Sequence, residues 1–219
     1  MTRVFLASRN AKKIAEMRRI LADAVPDVEV LGLDDVEPYD EPAETEATFA
    51  GNALLKARAG VAATGLPSLA DDSGLCVDAL NGMPGVLSAR WAGAARDDAA
   101  NNRLLLEQLA DVPDERRTAR FACAVAFVHP TAAGAAEHVV HGEMPGHVIR
   151  EPRGEGGFGY DVLFLPAGPT ARDSVEHGGG AFVGRTCAEL TPADKDAVSH
   201  RGQALRRVVP LVRDALGAG

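Results

Sequence analysis

Two carboxylates and a hydroxyl stand side by side in Asp71-Asp72-Ser73-Gly74. Hard divalent cations take oxygen ligands and keep some of their waters, so such a cluster can hold Mg2+ and present it to a phosphate. A plain polar turn is the competing reading. Neighbouring residues on an extended chain point to opposite faces, so only one of the two aspartates looks into any given cleft. A second cluster, Ser8-Arg9-Asn10-Ala11-Lys12-Lys13, brings a hydroxyl and lysines to the place where an apolar run meets a helical pattern. Free amides at a helix start converge there as an anion site requires. A third, Lys195 with Ser199-His200-Arg201-Gly202, puts a cation, an imidazole and a guanidinium near another helix start, where an ordinary solvated cap would look the same. Gly154-Glu155-Gly156-Gly157-Phe158-Gly159 matches GxGxxG letter for letter. A dinucleotide fingerprint must follow a strand and open a helix, whereas this segment follows Glu151-Pro152-Arg153 and runs into a strand. Its glycines can instead bring backbone N–H groups close to a ligand while Phe158 offers a ring face, or the segment is simply a flexible loop. The phosphate loop GxxxxGK(S/T), HExxH and GxSxG are absent.

The elements that must position these clusters follow from periodicity. Residues 3–7 read as a strand, and Ile14, Met17, Ile20, Leu21 and Val25 recur at helical spacing until Pro26. Val28 to Leu33 predicts a second strand, followed by an acidic, proline-broken loop through Glu44 and Glu46 and a helix over about Thr48 to Ala63. Short strands over 68–70 and 75–80 would flank the Asp71 to Gly74 turn, with Asn81-Gly82 a strong turn signal. Asp97 can cap a helix reaching Leu109. Phe121 to Val128 predicts a strand buried on both faces, with further strands over 137–144, 147–149 and 162–165. Thr191-Pro192-Ala193-Asp194 carries a cap, an N1 proline and an N3 carboxylate. Ser199 is expected to cap a last helix whose buried face is Leu205, Val208, Val209, Val212 and Leu216, kinked at Pro210.

Composition narrows the function classes. With 219 residues, the chain can bury roughly 70% or more of its unfolded surface in a core without staples. The longest apolar run is far short of the roughly 20 residues a membrane-spanning helix needs, and no signal-peptide pattern opens the chain, so a cytoplasmic protein is expected. Three widely spaced cysteines, 76, 123 and 187, fit plain thiols rather than disulfides or a zinc pair. Lys and Arg number 23 against 31 Asp and Glu, a net charge of −8, which argues against a nucleic-acid polymer as partner. A single nucleotide held by local cations is compatible with it.

Taken in order, "LASRNAKKIAE", "TFAGNALLKA", "LADDSGL", "GMPGVLSARW", "GGFGYD" and "AELTPADKDAVSHRGQAL" resemble the HAM1/inosine-triphosphate pyrophosphatase family from Val4 to about Val209. The resemblance implies one domain over 1–219 with a mixed α/β fold, a long twisted sheet flanked by helices in two lobes with a nucleotide cleft between them, and a homodimer. It also implies Mg2+-dependent hydrolysis of ITP, dITP and XTP to the monophosphate and pyrophosphate. Carried over by block, Ser8, Arg9, Asn10, Ala11, Lys12 and Lys13 would grip the triphosphate, with Lys56 a further phosphate contact. Asp72 would bind metal and activate water, with Glu44 the second metal carboxylate. Ser73 would touch the nucleotide, and Phe158, Gly159, Tyr160, Asp161, Lys195, His200 and Arg201 would hold the base. This chain departs from the family at Gly51, where an acid is usual, at Val162 in place of proline, and at Cys187 in place of phenylalanine. The stretch 168–184 reads as an insertion. Two other readings remain at this point: a Maf-like nucleotide pyrophosphatase of different base preference, and a catalytically silent nucleotide-binding module.

Overall fold

The computed structural model describes residues 2–25, 28–167 and 184–217; the 168–184 segment lies outside the described residues except for Gly184. Six strands, β1 (Thr2–Leu6), β2 (Val28–Leu31), β3 (Ser68–Val77), β4 (Thr118–Thr131), β5 (Gly134–Val148) and β6 (Phe164–Pro166), form one sheet in the order β2-β1-β3-β4-β5-β6. β1 runs parallel to both β2 and β3, with Phe5 opposite Ser68, while β6 is antiparallel to β5. The sheet is therefore mixed, as expected. The helices are α1 (Ala11–Ala24), α2 (Phe49–Thr64), α3 (Asp98–Gln108), α4 (Pro192–Val198) and α5 (His200–Leu216).

The chain divides into two compact units: Met1–Asp72, Cys123–Gly142 and Arg201–Gly219 form the first, Ser73–Ala122 and Glu143–His200 the second. In the first unit, the helical stripe of α1 (Met17, Leu21) and that of α5 (Leu205, Val208, Val212) bury against Val4, Leu6, Leu69, Val125 and Phe127. A second cluster of mostly small residues, Ala53 and Ala57 of α2 with Phe5, Ala70, Ala124 and Ala126, lets α2 lie close to the strands. The second unit has its own core of Leu75, Val77, Leu105, Leu109, Phe121, Leu163 and Phe164, with Cys187 buried among them. All three cysteines are free thiols, as expected, and buried; Cys76 and Cys123 lie in strands, and burial pushes the Cys123 thiol up to about 12.

Local signals place the helix starts. Thr48 caps α2 by accepting from Gly51 N at 3.0 Å, Asp97 caps α3 through Ala99 N and Ala100 N, and Thr191 caps α4 through Asp194 N with Pro192 in the first turn. Each such cap is worth about 1 kcal/mol. α5 runs on as a helix through Pro210.

Four sequence expectations change. Asp71 to Gly74 is no turn between two short strands: β3 is continuous from Ser68 to Val77 and nearly all buried. Residues 137–144 and 147–148 merge into β5, which ends at Val148 and leaves 149 outside it. β2 ends at Leu31, where a short 3-10 turn over Leu33–Asp35 follows. β6 starts only at Phe164, since Gly159–Val162 coils into another 3-10 turn. Buried aspartates inside a strand contradict local propensity, which counts them as turn formers. Their partners, distant in sequence, outweigh it.

Candidate active site

In the first unit, β1 ends at Leu6 and the chain turns through Ser8 to Asn10 before α1 begins. Asn10 Oδ1 accepts from Lys13 N at 3.1 Å and Ser8 Oγ accepts from Asn10 N at 3.3 Å, so the turn is shaped by its own side chains at the positive end of a helix. Arg9 is paired with Glu41 of the acidic loop. Lys12 lies on α1, and its side chain is outside the described residues. Lys13, in the first turn of α1, reaches across to β3, where its Nζ donates to Asp71 Oδ2 at 2.8 Å.

Asp71 is the hub of a buried charge network. The same Oδ2 accepts from Arg201 Nε at 3.2 Å, and Arg201 Nη1 donates to Glu16 Oε2 at 2.6 Å. Only 1–2% of the Asp71 and Arg201 side chains is exposed. Burial alone would push the Asp71 carboxyl up, but the charges of Lys13, Arg201 and Lys56 outweigh it and hold the group well below the usual carboxylate range. Burial disfavours the Arg201 cation too, and Asp71 and Glu16 more than offset that. Two guanidinium nitrogens of Arg201 are thus engaged by carboxylates.

Asp72, the next residue of β3, has different surroundings. Its Oδ2 accepts from Asn52 Nδ2 at 2.9 Å, and Asn52 Oδ1 in turn accepts from Glu46 N at 2.9 Å, so one buried amide ties the acidic loop to this carboxylate. Burial raises the Asp72 pKa, Lys56 and the Asn52 hydrogen bond lower it, Glu44 raises it further, and the net shift is upward. One turn along α2 from Asn52, Lys56 Nζ donates to Glu44 Oε1 at 2.7 Å and to the Asp71 carbonyl at 2.8 Å. Burial opposes the Lys56 charge, yet Asp71, Asp72 and Glu44 raise its pKa. Gly51 also acquires a reason. A Cβ there would lie 2.6 Å from Glu46 Cβ, so the glycine makes room for the acidic segment beside the start of α2.

Asp72 and Glu44 destabilise each other's negative charge and share one ammonium, an arrangement that a dication would relieve. Among the described residues no cluster of three or more His, Cys, Asp or Glu could hold a metal ion. A two-carboxylate set suits Mg2+, which keeps waters and takes substrate phosphates for its other ligands.

The second unit gathers Ser73, Phe158, Gly159, Tyr160, Asp161, Lys195 and His200. Asp161 Oδ2 accepts from Phe158 N at 2.8 Å and from Lys195 Nζ, whose ammonium sits 4.9 Å from the centre of the Phe158 ring. Tyr160 is buried and its hydroxyl donates to Ser88 O at 2.8 Å. His200 is buried and stacks on Phe121, ring centres 4.9 Å apart and nearly parallel. Ser73 is half-buried in β3.

The pattern of the Ham1 family matches residues 4–211. The chain belongs to the Ham1 family. It is 63% identical over 97% of its length, and 95% of the other protein, to a dITP/XTP pyrophosphatase of Nocardia farcinica. Among solved Ham1-like structures, a nucleoside-triphosphatase/dITP/XTP pyrophosphatase of Mycobacterium abscessus matches with a TM-score of 0.72 at 53% identity, over 95% of this chain and 100% of that one. A HAM1 protein of Coxiella burnetii matches with a TM-score of 0.79 at 39% identity, over 98% and 100%. The six sequence blocks and the mixed α/β fold expected from them therefore hold for this Ham1 chain. Sequence reasoning missed four residues of its charged and polar networks: Asn52, Glu16, Asp98 and Asn102. Spacing could have found them. Asn52 and Lys56 are four apart on α2, Glu16 is three from Lys13 on α1, and Asp98 and Asn102 are four apart on α3, so each pair shares a helix face.

Proposed function

We propose that this Ham1 chain is a nucleoside-triphosphate diphosphatase that hydrolyses the deaminated purine nucleotides dITP, ITP and XTP to the monophosphate and pyrophosphate. The observation that carries the reading is the full-length likeness to proteins named dITP/XTP pyrophosphatase. The geometry of the first unit supports it. Ser8 to Lys13 offer amides, a hydroxyl and a cation to the triphosphate, with Lys13 aimed by Asp71. Asp72 and Glu44 would hold Mg2+, which when bound supplies charge neutralisation to phosphate oxygens. Asp72 is the acceptor for the proton of the attacking water, its carboxylate oriented by Asn52. Lys56 balances Glu44 and stands by for charge developing on the leaving pyrophosphate, a role Lys12 shares.

In the second unit, Phe158 supplies a face for the base, with Gly159, Tyr160 and Asp161 shaping the loop and Lys195 fixed over the ring. Ser73 touches the sugar-phosphate end. His200, and Arg201 of the first unit, are the proposed donors for a 6-oxo group, which adenine, carrying a 6-amino group, would leave unpaired. The active form is a homodimer, and its compartment the cytoplasm; among the described residues no helix is long and apolar enough to cross a membrane.

The test measures pyrophosphate and phosphate release from ITP, XTP, dITP, GTP, ATP and dTTP, with and without Mg2+. Mg2+-dependent pyrophosphate from the first three, with little turnover of ATP or dTTP, is expected. Release of single phosphates, or preference for dTTP, would overturn the reading. Sedimentation of the pure protein at the mass of two chains checks the dimer.

A further inference from the structure

One peptide segment of the second unit is gripped from both sides by a helix that carries none of the residues so far assigned to substrate. Asp98, in the first turn of α3, accepts from Gly159 N through Oδ2 at 2.7 Å. Asn102, one turn further along the same face, donates from Nδ2 to Gly159 O at 3.0 Å. The donor and the acceptor of a single residue are thus taken by an i, i+4 pair of side chains, and both lie more than fifty residues away in sequence.

Gly159 has a φ of +61°, and a Cβ there would meet nothing within 4 Å, so glycine is required for its left-handed backbone and not for space. Glycine is also the residue freest to leave such a conformation, and that freedom makes an external grip useful. On either side the segment has other anchors: Phe158 N on Asp161, and the buried Tyr160, with its hydroxyl on Ser88 O. Between them, α3 takes both the N–H and the carbonyl of Gly159, and so fixes how that peptide is turned beside the half-buried Phe158 ring. Asn102 is itself buried, and its Oδ1 has no hydrogen-bond partner among the described residues. A position with a purely packing role would shed that unsatisfied acceptor by carrying an apolar side chain, so the amide is best explained by its one bond to Gly159.

We propose that Asp98 and Asn102 are positioning residues for nucleobase binding, clamping the Gly159 peptide so that Phe158 and its neighbours are preset to receive the base. This rests on the function proposed above, with the base at the Phe158 loop. Neither side chain touches the reacting phosphate, so loss of the clamp should weaken nucleotide binding and spare the chemical step.

The experiment uses the full-length wild-type protein with Asn102→Ala, Asp98→Ala and Asp98→Asn. Hydrogen exchange is followed in the peptide containing Gly159, and KM and kcat are measured for ITP. Binding of inorganic tripolyphosphate with Mg2+ serves as a probe that lacks a base. Both alanine variants should exchange faster at Gly159 and raise KM about tenfold, the effect of one lost hydrogen bond on binding, with kcat within about threefold and tripolyphosphate affinity unchanged. Asp98→Asn keeps an acceptor oxygen and should recover most of the loss. The clamp is overturned if exchange accelerates while KM stays put, or if ITP and tripolyphosphate affinities fall together, as general damage would make them do. A wild-type protein that releases no pyrophosphate from ITP overturns both proposals. A wild-type protein that does so, with variants indistinguishable from it, overturns the clamp alone.

Discussion

Around Asp71, in the first unit, charged side chains hold one another: Lys13 and Arg201 meet at its buried carboxylate, and Glu16 joins through Arg201. Around Gly159, in the second unit, side chains mainly hold backbone: Asp98 and Asn102 take Gly159 and Asp161 takes Phe158 N, with Asp161–Lys195 an ion pair beside them. The two arrangements respond differently to damage. Removing one member of a buried ion network leaves the others charged in a medium that cannot solvate them. Removing one hydrogen bond from a loop with other anchors leaves a folded protein whose loop samples more conformations. Substitutions of the first kind therefore couple activity to stability, and those of the second kind tune affinity on an intact fold.

The largest effect expected tests whether Asp72 truly stands outside the charge network. Asp72→Asn should lower kcat more than about a hundredfold, the lower range for a lost general base. It should leave the melting temperature unchanged or slightly raised, because burial already disfavours the Asp72 charge. Near wild-type kcat would move the base elsewhere, with Asp71 the first suspect. Next in size, Arg201→Ala should cost about 3–5 kcal/mol in urea unfolding, since Asp71 and Glu16 would be left buried and uncompensated. A loss below about 1 kcal/mol, the scale of an exposed pair, would mean that the network is solvated and the comparison drawn too sharply.

A third pair of variants separates the regions by ligand. Lys13→Ala should weaken ITP, ATP and inorganic tripolyphosphate by a similar factor. Phe158→Ala should weaken the nucleotides by about 1–3 kcal/mol, the worth of a base stacked on an aromatic ring, and leave tripolyphosphate alone. If Lys13→Ala shifts the ITP/ATP ratio instead, the two assignments are reversed.

The smallest effect is the pH profile. Asp71 is depressed, so the stability it contributes is present above about pH 4 and is lost only as the pH falls through its lower folded value. Lys56 is raised, so its contribution is complete below its ordinary value near 10.5 and is lost as the pH climbs through the folded one. Between about pH 5 and pH 10 these two charges stay constant, and the profile reports the substrate, the attacking water and Asp72, whose carboxyl is held above its ordinary value by burial. Activity on ITP should climb into alkaline pH as the terminal phosphate loses its last proton near a pKa of about 6. A profile peaking below about 7 would show a group of the protein in control, with His200 the one to examine.

The family and the order of the elements were legible in the chain because they rest on local chemistry. Asp97 and Thr191 cap the helices they were expected to cap, and Thr48, read only as the start of a helix, caps its own as well, since a side-chain oxygen and amides two or three residues on need nothing else to meet. Phe121 to Val128 is buried throughout, as an unbroken apolar run requires. Local reading failed at Asp71 to Gly74, where two aspartates look like a turn until Lys13, 58 residues away, and Arg201, 130 residues away, arrive to neutralise one of them within a continuous strand. Alternation along a strand says that Asp71 and Asp72 face opposite ways, but not which of them meets cations and which meets the Asn52 amide. That choice, like the grip of Asp98 and Asn102 on Gly159, belongs to the tertiary structure, because the desolvation and Coulomb energies that decide it depend on distances between residues far apart in the chain.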